Sequence, residues 1–163
     1  MAITSGVGRR MLVISAVLVM GAAGSAGASG IAQIIHARQN HFRTLGRTAK
    51  SIRDQAGRSH PNWAVVEADA DRVERLASAL PSWFPAGSGQ GHGVRTRARP
   101  AIWAEPRQFA RFARRLLHRA QQLRQAAASH DVRALRLRAR SLGRGCDSCH
   151  RRFRAHRSWW HLW

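Results

Sequence analysis

A single short motif constrains this chain more than any other feature of its sequence. The only two cysteines of its 163 residues lie in the run Cys146-Asp147-Ser148-Cys149-His150, a C-x-x-C-H element. Such an element attaches c-type haem, because two thiols one helical turn apart can form thioethers with the vinyl groups while the adjacent imidazole binds the iron. The sequence therefore predicts one covalent haem c per chain, attached through Cys146 and Cys149, with His150 as the proximal iron ligand.

Two other interpretations of the motif are a thiol–disulfide redox pair and a zinc site. A thioredoxin-like redox pair would lie in a βαβ context, whereas the residues around Cys146 follow a helical pattern. Zinc prefers four ligands at regular spacing. The chain has no second C-x-x-C, and beyond Cys146, Cys149 and His150 the nearby ligand considered is His156. Both interpretations are therefore less favoured than haem attachment.

The N-terminal residues have the pattern of a secretory signal peptide. Arg9 and Arg10 precede an apolar run over residues 11–23, and small residues then lead to Ala26-Gly27-Ala28, an A-x-A cleavage pattern. The apolar run is shorter than the roughly 20 residues of a membrane-spanning helix, so an uncleaved anchor is the weaker alternative. We expect residues 1–28 to be removed after Ala28, leaving one domain over residues 29–163 in the periplasm, where thiols can be kept reduced for haem attachment.

The rest of the chain predicts four amphipathic helices. The first starts from Ile31, the second ends at Pro81, the third begins with Pro106, and the fourth is capped by Asp131. Apolar residues recur at helical spacing in each, namely Ile35, Phe42, Leu45 and Ile52, then Val66, Ala70, Val73 and Ala77, then Phe109, Ala113, Leu116 and Leu123, and finally Leu135, Ala139, Leu142 and Phe153. This pattern predicts an all-α fold, an antiparallel four-helix bundle.

The register of the fourth helix places both cysteines on its apolar stripe. Cys146 and Cys149 continue the spacing of Leu142 and lead on to Phe153. We therefore expect the haem to form part of the core of the bundle.

Several segments together resemble the class II c-type cytochromes, and in particular cytochrome c′ and its low-spin relatives. They are the C-x-x-C-H on the last helix, the Arg38-Gln39 pair on the first, the run Ala-Leu-Pro-Ser-Trp-Phe-Pro-Ala-Gly-Ser-Gly at residues 79–89, the loop at residues 96–103 and the segment 146–154. The resemblance covers residues 31–154. It implies a helical bundle with a haem between facing helices, the topology for which cytochrome c′ is a known example.

The resemblance also implies roles for individual residues. Arg154 matches an arginine beside the proximal histidine, and Arg38 and Gln39 match a pair near the haem edge. A buried guanidinium there would offset the charge of the haem propionates. For Arg38 the alternative is a solvated helix face, since arginine is so abundant in this chain.

The resemblance places Phe42 on the distal face of the haem. Relatives carry either methionine or a bulky apolar residue there, and all methionines of this chain lie in the predicted signal peptide, namely Met1, Met11 and Met20. A phenyl ring has no lone pair, so we expect five-coordinate iron shielded by Phe42. His36 and His41 are the rival ligands, but His41 is rotated about 100° from Phe42 on a regular helix and should point away from it.

The chain is strongly basic. Lys and Arg number 28 against 8 Asp and Glu, a formal net charge of +20, or +18 without Arg9 and Arg10. The arginines are scattered and no nucleic-acid recognition element accompanies them, so we expect no nucleic-acid partner. The charge suits steering toward an acidic redox partner protein or an anionic membrane surface, with plain solubility as the alternative.

The tail over residues 151–163, with Trp159, Trp160 and Trp163, suits a membrane interface or packing against the bundle or a second subunit of a homodimer.

Two functions follow from a shielded c-type haem. The leading hypothesis is an electron carrier, the common use of covalent haem in an exported bundle. The alternative is binding of nitric oxide or another diatomic gas at an open iron site. An enzymatic activity such as a peroxidase is not expected, because it would need a distal acid or base and the sequence offers none clearer than His41.

Overall fold

The computed structural model describes residues 23–155. Most of the predicted signal peptide and the tryptophans of the C-terminal tail lie outside the described residues.

Four long helices form the fold. They are α1 (Ala23–Ala56), α2 (Trp63–Ala79), α4 (Pro106–Ala128) and α5 (Val132–Phe153), with a 3-10 turn at Leu80–Trp83 and a short helix α3 (Ala101–Ala104) in the long connection between α2 and α4. Each long helix packs against the next one in the chain, and α5 packs back against α1, which closes an antiparallel bundle. Over residues 23–155 the β structure is limited to an isolated bridge between Ala98 and Arg154. The predicted fold class is confirmed.

The helix boundaries follow local signals, with one exception. Asp131 caps α5 by accepting from the N–H groups of Arg133 and Ala134, and Pro106 occupies the first turn of α4, as predicted. Pro81 ends α2 through the 3-10 turn. The exception is α1, which already includes Ala23, the first residue that the structure describes, whereas the apolar stripe predicted a helix only from Ile31.

The predicted apolar stripes form one hydrophobic core. Ile52, Val73, Leu123 and Leu135 are among its fully buried members, drawn from all four long helices. Two polar contacts help to hold the helix ends in register. Arg136 on α5 donates to the carbonyls of Ala56 (2.8 Å) and Arg58 (3.1 Å) at the end of α1. These bonds satisfy carbonyls that a helix leaves free at its C-terminus.

Arg38 on α1 is buried, with 2% of its surface exposed. Its guanidinium donates to the carbonyl (2.7 Å) and hydroxyl (3.1 Å) of Ser88 and to the hydroxyl of Thr96 (2.9 Å). It also lies over the rings of Phe84 (5.0 Å) and Trp103 (5.7 Å). The solvated-face alternative for Arg38 is therefore wrong, because the connection between α2 and α4 covers this side chain.

The same connection also contacts the end of α5. The N–H of Arg99 donates to the carbonyl of Phe153 (2.9 Å), and the N–H of Ala155 donates to the carbonyl of Arg97 (2.8 Å). Gln39, next to Arg38, donates to the carbonyl of Arg95 (2.8 Å). The connection is thus fixed to α1 on one side and to α5 on the other.

Arg38→Ala should lower the free energy of unfolding of the haem-loaded protein by about 3 kcal/mol, because it leaves the buried Ser88 carbonyl without this charged donor. Arg38→Lys should recover only part of the loss, since one ammonium cannot reproduce the planar set of donors. Denaturant unfolding measures both effects. Arg47→Ala, an exposed site on the same helix, is the control. A loss at Arg38 no larger than at Arg47 would contradict the assignment.

Candidate functional site

The motif residues lie in the last turns of α5. Cys146 and Cys149 are free thiols that pack against the hydrophobic core and remain half-buried. His150 follows them and is also half-buried. The two thiols therefore lie at the edge of the core, one helical turn apart and close to the protein surface.

Burial changes the acidity of both thiols. It raises the pKa of Cys149 to about 11, with a further contribution from Cys146. Burial also raises the pKa of Cys146, helped by Asp147 and opposed by Arg53 and Arg119. Redox-active cysteines instead have a lowered pKa, since the thiolate is the reactive form. These buried thiols on a helix, outside any βαβ unit, do not fit the redox-pair interpretation.

The zinc interpretation concerns ligands that the structure describes only in part. Within residues 23–155, no group of three or more His, Cys, Asp and Glu side chains is arranged to hold a metal ion. His156, the additional ligand considered from sequence, lies outside the described residues.

The imidazole of His150 is held in an environment that favours its neutral form. Burial lowers its pKa, and the positive charges of Arg154 and Arg97 lower it further, against the opposing effect of Asp147. A neutral imidazole keeps a nitrogen lone pair available for a metal. Arg154 is the C-cap residue of α5, and its N–H donates to the His150 carbonyl (3.0 Å).

Phe42 and His41 both lie against Trp83. Phe42 meets the indole edge-on, with ring centroids 5.1 Å apart, and lies 6.0 Å from Phe84. His41 stacks on the same indole at 4.8 Å and is half-buried. The expectation that His41 points away from Phe42 is met only in part, because an indole is large enough to reach adjacent residues of α1. His36 is exposed.

Aromatic rings connect the Phe42 side of the bundle with α5. Phe84 lies 5.0 Å from Phe109, and Phe109 lies 5.3 Å from Phe153, which in turn meets Phe112 at 5.5 Å. Sequence reasoning used the 79–89 run only for its resemblance and did not identify Trp83 and Phe84 as neighbours of Phe42. Their spacing and the flanking prolines carried no signal for which side chains they would contact.

The donor set fits a covalently attached haem. It offers two thiols one turn apart on one helix face, an adjacent imidazole kept neutral, and apolar and aromatic side chains packed alongside. The bundle and this set of side chains together define a c-type haem protein of the four-helix type.

Comparisons with known proteins identify the family. A family model described as Cytochrome C′ matches residues 33–154. Cytochrome c-554 of Cereibacter sphaeroides is 34% identical over 126 residues, which are 76% of this chain and 94% of that protein. Cytochrome c′ of Rhodospirillum rubrum is 29% identical over 126 residues, 75% of this chain and 77% of the relative. The chain belongs to the cytochrome c′ family.

Solved structures agree with this assignment. Cytochrome c′ from Thermochromatium tepidum superposes with a TM-score of 0.72 at 25% identity, covering 77% of this chain and 97% of that one. Cytochrome c′ from Shewanella frigidimarina gives a TM-score of 0.70 at 25% identity, with the same coverage. The predicted resemblance is thus confirmed, and so is the cofactor, because proteins of this family hold haem c covalently.

The helices were also compared with the requirements of a membrane span. Over residues 23–155, none combines the length and the apolar character that crossing a bilayer requires.

Proposed function

We propose that this protein is an exported electron carrier whose single haem c is attached through Cys146 and Cys149, with His150 as proximal ligand. The observation that carries the proposal is the arrangement of two half-buried thiols one turn apart on α5, followed at once by an imidazole whose neutral form is favoured. The bound haem supplies a one-electron redox centre. The residues of α5 hold it near the surface, where an electron can be exchanged with a partner.

The surface charge supports transfer to an acidic partner. Helices α4 and α5 carry thirteen arginines and a single carboxylate, Asp147, and α5 also carries the motif. The positive electrostatic field of these arginines attracts a negatively charged protein or an anionic membrane and raises the rate of association. An acidic redox protein is the partner we propose, with the membrane surface as the alternative.

Arg38, Gln39 and Arg154 are proposed as residues that shape the surroundings of the haem. Both terminal nitrogens of Arg38 are already bonded to Ser88 and Thr96, so this residue would act on the propionates through its fixed positive charge. Gln39 holds the same connection, and Arg154 favours the neutral imidazole of His150. These three residues position and polarise the site.

Binding of a diatomic gas is the second candidate function. Phe42 is half-buried against Trp83 and offers no ligand to iron, while the domain over residues 29–163 contains no methionine. One solved cytochrome c′ with 25% identity to this chain is described as having an unusual ligand-controlled dimer dissociation. An open iron site and ligand-sensitive dimerisation are therefore properties to test here.

Export to the periplasm is part of the proposal, since proteins of this family are typically periplasmic. Cleavage after Ala28 would remove the first six residues of α1 and leave Ser29 as the new N-terminus. N-terminal sequencing of the protein from the periplasmic fraction should therefore begin at Ser29. Recovery of the full-length chain in the membrane fraction would contradict cleavage and favour an anchor.

Cys146→Ser and Cys149→Ser should each weaken or abolish covalent haem, because one thioether at most remains, and the double variant should carry none. Denaturing gel electrophoresis with a haem stain measures this in cells competent in cytochrome maturation. Ser148→Ala is the matched control, since it changes the same turn and should leave the stain intact. A wild-type band without haem signal would contradict the attachment site.

Phe42→Ala should speed carbon monoxide association by about tenfold or more, since the ring no longer has to move aside and the barrier falls by about 1.4 kcal/mol. Rapid-mixing kinetics measure the rate, and Phe112→Ala on α4 is the matched control.

The wild-type ferrous spectrum should be high-spin and unchanged by His41→Ala. A low-spin wild-type spectrum that becomes high-spin in His41→Ala would make His41 the sixth ligand and weaken gas binding as a function.

A further inference from the structure

The charges of the bundle are unevenly distributed among its helices. Helix α4 carries six arginines and no carboxylate, and α5 carries seven arginines with Asp147. Helix α2, which packs against α1 and α4, has two arginines and four carboxylates. The positive charge is therefore concentrated on α4 and α5.

A shallow, solvent-open cavity of about 430 Å³ lies on this basic side of the molecule. Its lining comes from successive turns of α4 and from Ser141 on α5, and comprises Arg111, Arg114, Arg115, His118, Arg119, Gln122 and Ser141. No carboxylate is among these residues. The volume is an order of magnitude larger than the share of about 30 Å³ that one water molecule takes, so a ligand of several heavy atoms can enter.

The four cavity arginines are not neutralised by the protein. The ion pairs within residues 23–155 use other cations, namely Lys50, Arg124, His130 and Arg152. Arg111, Arg115 and Arg119 follow one another at intervals of four residues, a spacing at which like charges repel on a helix. A bound anion would remove this repulsion and would meet guanidinium groups that can donate in pairs to its oxygens.

The packing of α5 leaves room for one of these side chains. A Cβ added at Gly145 would lie 2.5 Å from Nη1 and 3.1 Å from Cδ of Arg119, whereas one at Gly143 would meet nothing within 4 Å. The absence of a side chain at residue 145 therefore lets Arg119 lie against α5 at the cavity. Its charge also reaches Cys146, where it opposes the rise in pKa that burial of the thiol causes.

We propose that this cavity binds an oxyanion of the phosphate class. Planar guanidinium forks match phosphate oxygens in pairs, and Gln122 and Ser141 add neutral polar groups to the lining. The same chemistry is offered by free polyphosphate and by the headgroups of anionic phospholipids. The site lies outside the proposed haem ligands, so it does not depend on the proposed function.

Titration calorimetry of the haem-loaded protein with sodium tripolyphosphate tests the proposal at about 0.1 M salt, where long-range attraction is largely screened. We expect one saturable site. Arg111→Gln and Arg114→Gln should each weaken binding roughly tenfold, as expected for the loss of one charge-assisted hydrogen bond. Both side chains are exposed, so the fold should tolerate the changes.

Arg133→Gln is the matched control, because it removes the same charge from an exposed position of α5 outside the cavity. Its affinity should stay within twofold of the wild type. If it weakens binding as much as the cavity variants, or if the wild type does not bind tripolyphosphate, the proposal is wrong and the arginines act only as diffuse charge.

Sedimentation with lipid vesicles separates the two sources of phosphate. Binding to phosphatidylglycerol vesicles but not to phosphatidylcholine vesicles, lost in Arg114→Gln and displaced by tripolyphosphate, would support the site with a lipid headgroup as its ligand. The other outcome is that vesicle binding is absent, or is equal in the wild type and the variant. Together with the expected calorimetry, this outcome would support the site with a free oxyanion as its ligand.

Discussion

The buried guanidinium of Arg38 is the interaction on which the arrangement of the site depends. It is 2% exposed, and its three hydrogen bonds go to Ser88 and Thr96 in the connection between α2 and α4. Because a buried charge is costly unless it is fully bonded, this connection has little freedom to move away from α1. The same connection pairs through Arg97 and Arg99 with the end of α5. The helix that carries Phe42 is thereby tied to the helix that carries the haem-attachment motif.

The position of the motif satisfies two opposing requirements. The covalent haem of this family contributes apolar surface that is best placed in the core, whereas the proposed electron exchange would need the cofactor close to the protein surface. Half-buried thiols at the edge of the hydrophobic core meet both needs. Burial and the neighbouring arginines then favour the neutral imidazole of His150, so the basic character of the chain acts on the site as well as on its surface.

Trp83 lies between the two side chains that bear on the proposed choice between electron carriage and gas binding. Its indole contacts both Phe42 and His41, one an apolar shield and the other a possible iron ligand. The stacked contact restrains His41, while the edge-on contact and Phe84 restrain Phe42. If Phe42 lies on the distal face as proposed, these contacts among side chains would help to decide whether the iron keeps an open sixth position.

The sequence by itself determined the elements whose signals are local. These signals are the C-x-x-C-H spacing, the apolar stripes, the cap at Asp131 and the first-turn Pro106. Each depends on residues within a few positions of one another. They predicted the helices and the position of both cysteines on the apolar stripe of α5. The extension of α1 ahead of Ile31 was missed, since residues 23–30 carry no apolar stripe and include three glycines, which disfavour a helix. The resemblance implied a buried guanidinium at Arg38, but only the tertiary structure excluded the solvated-face alternative, because the acceptors lie 50 and 58 residues away in a connection without a periodic pattern. It also decided the contacts of His41 and the approach of Arg119 to Gly145 on α5, since those depend on how helices and loops meet in space and not on local propensity.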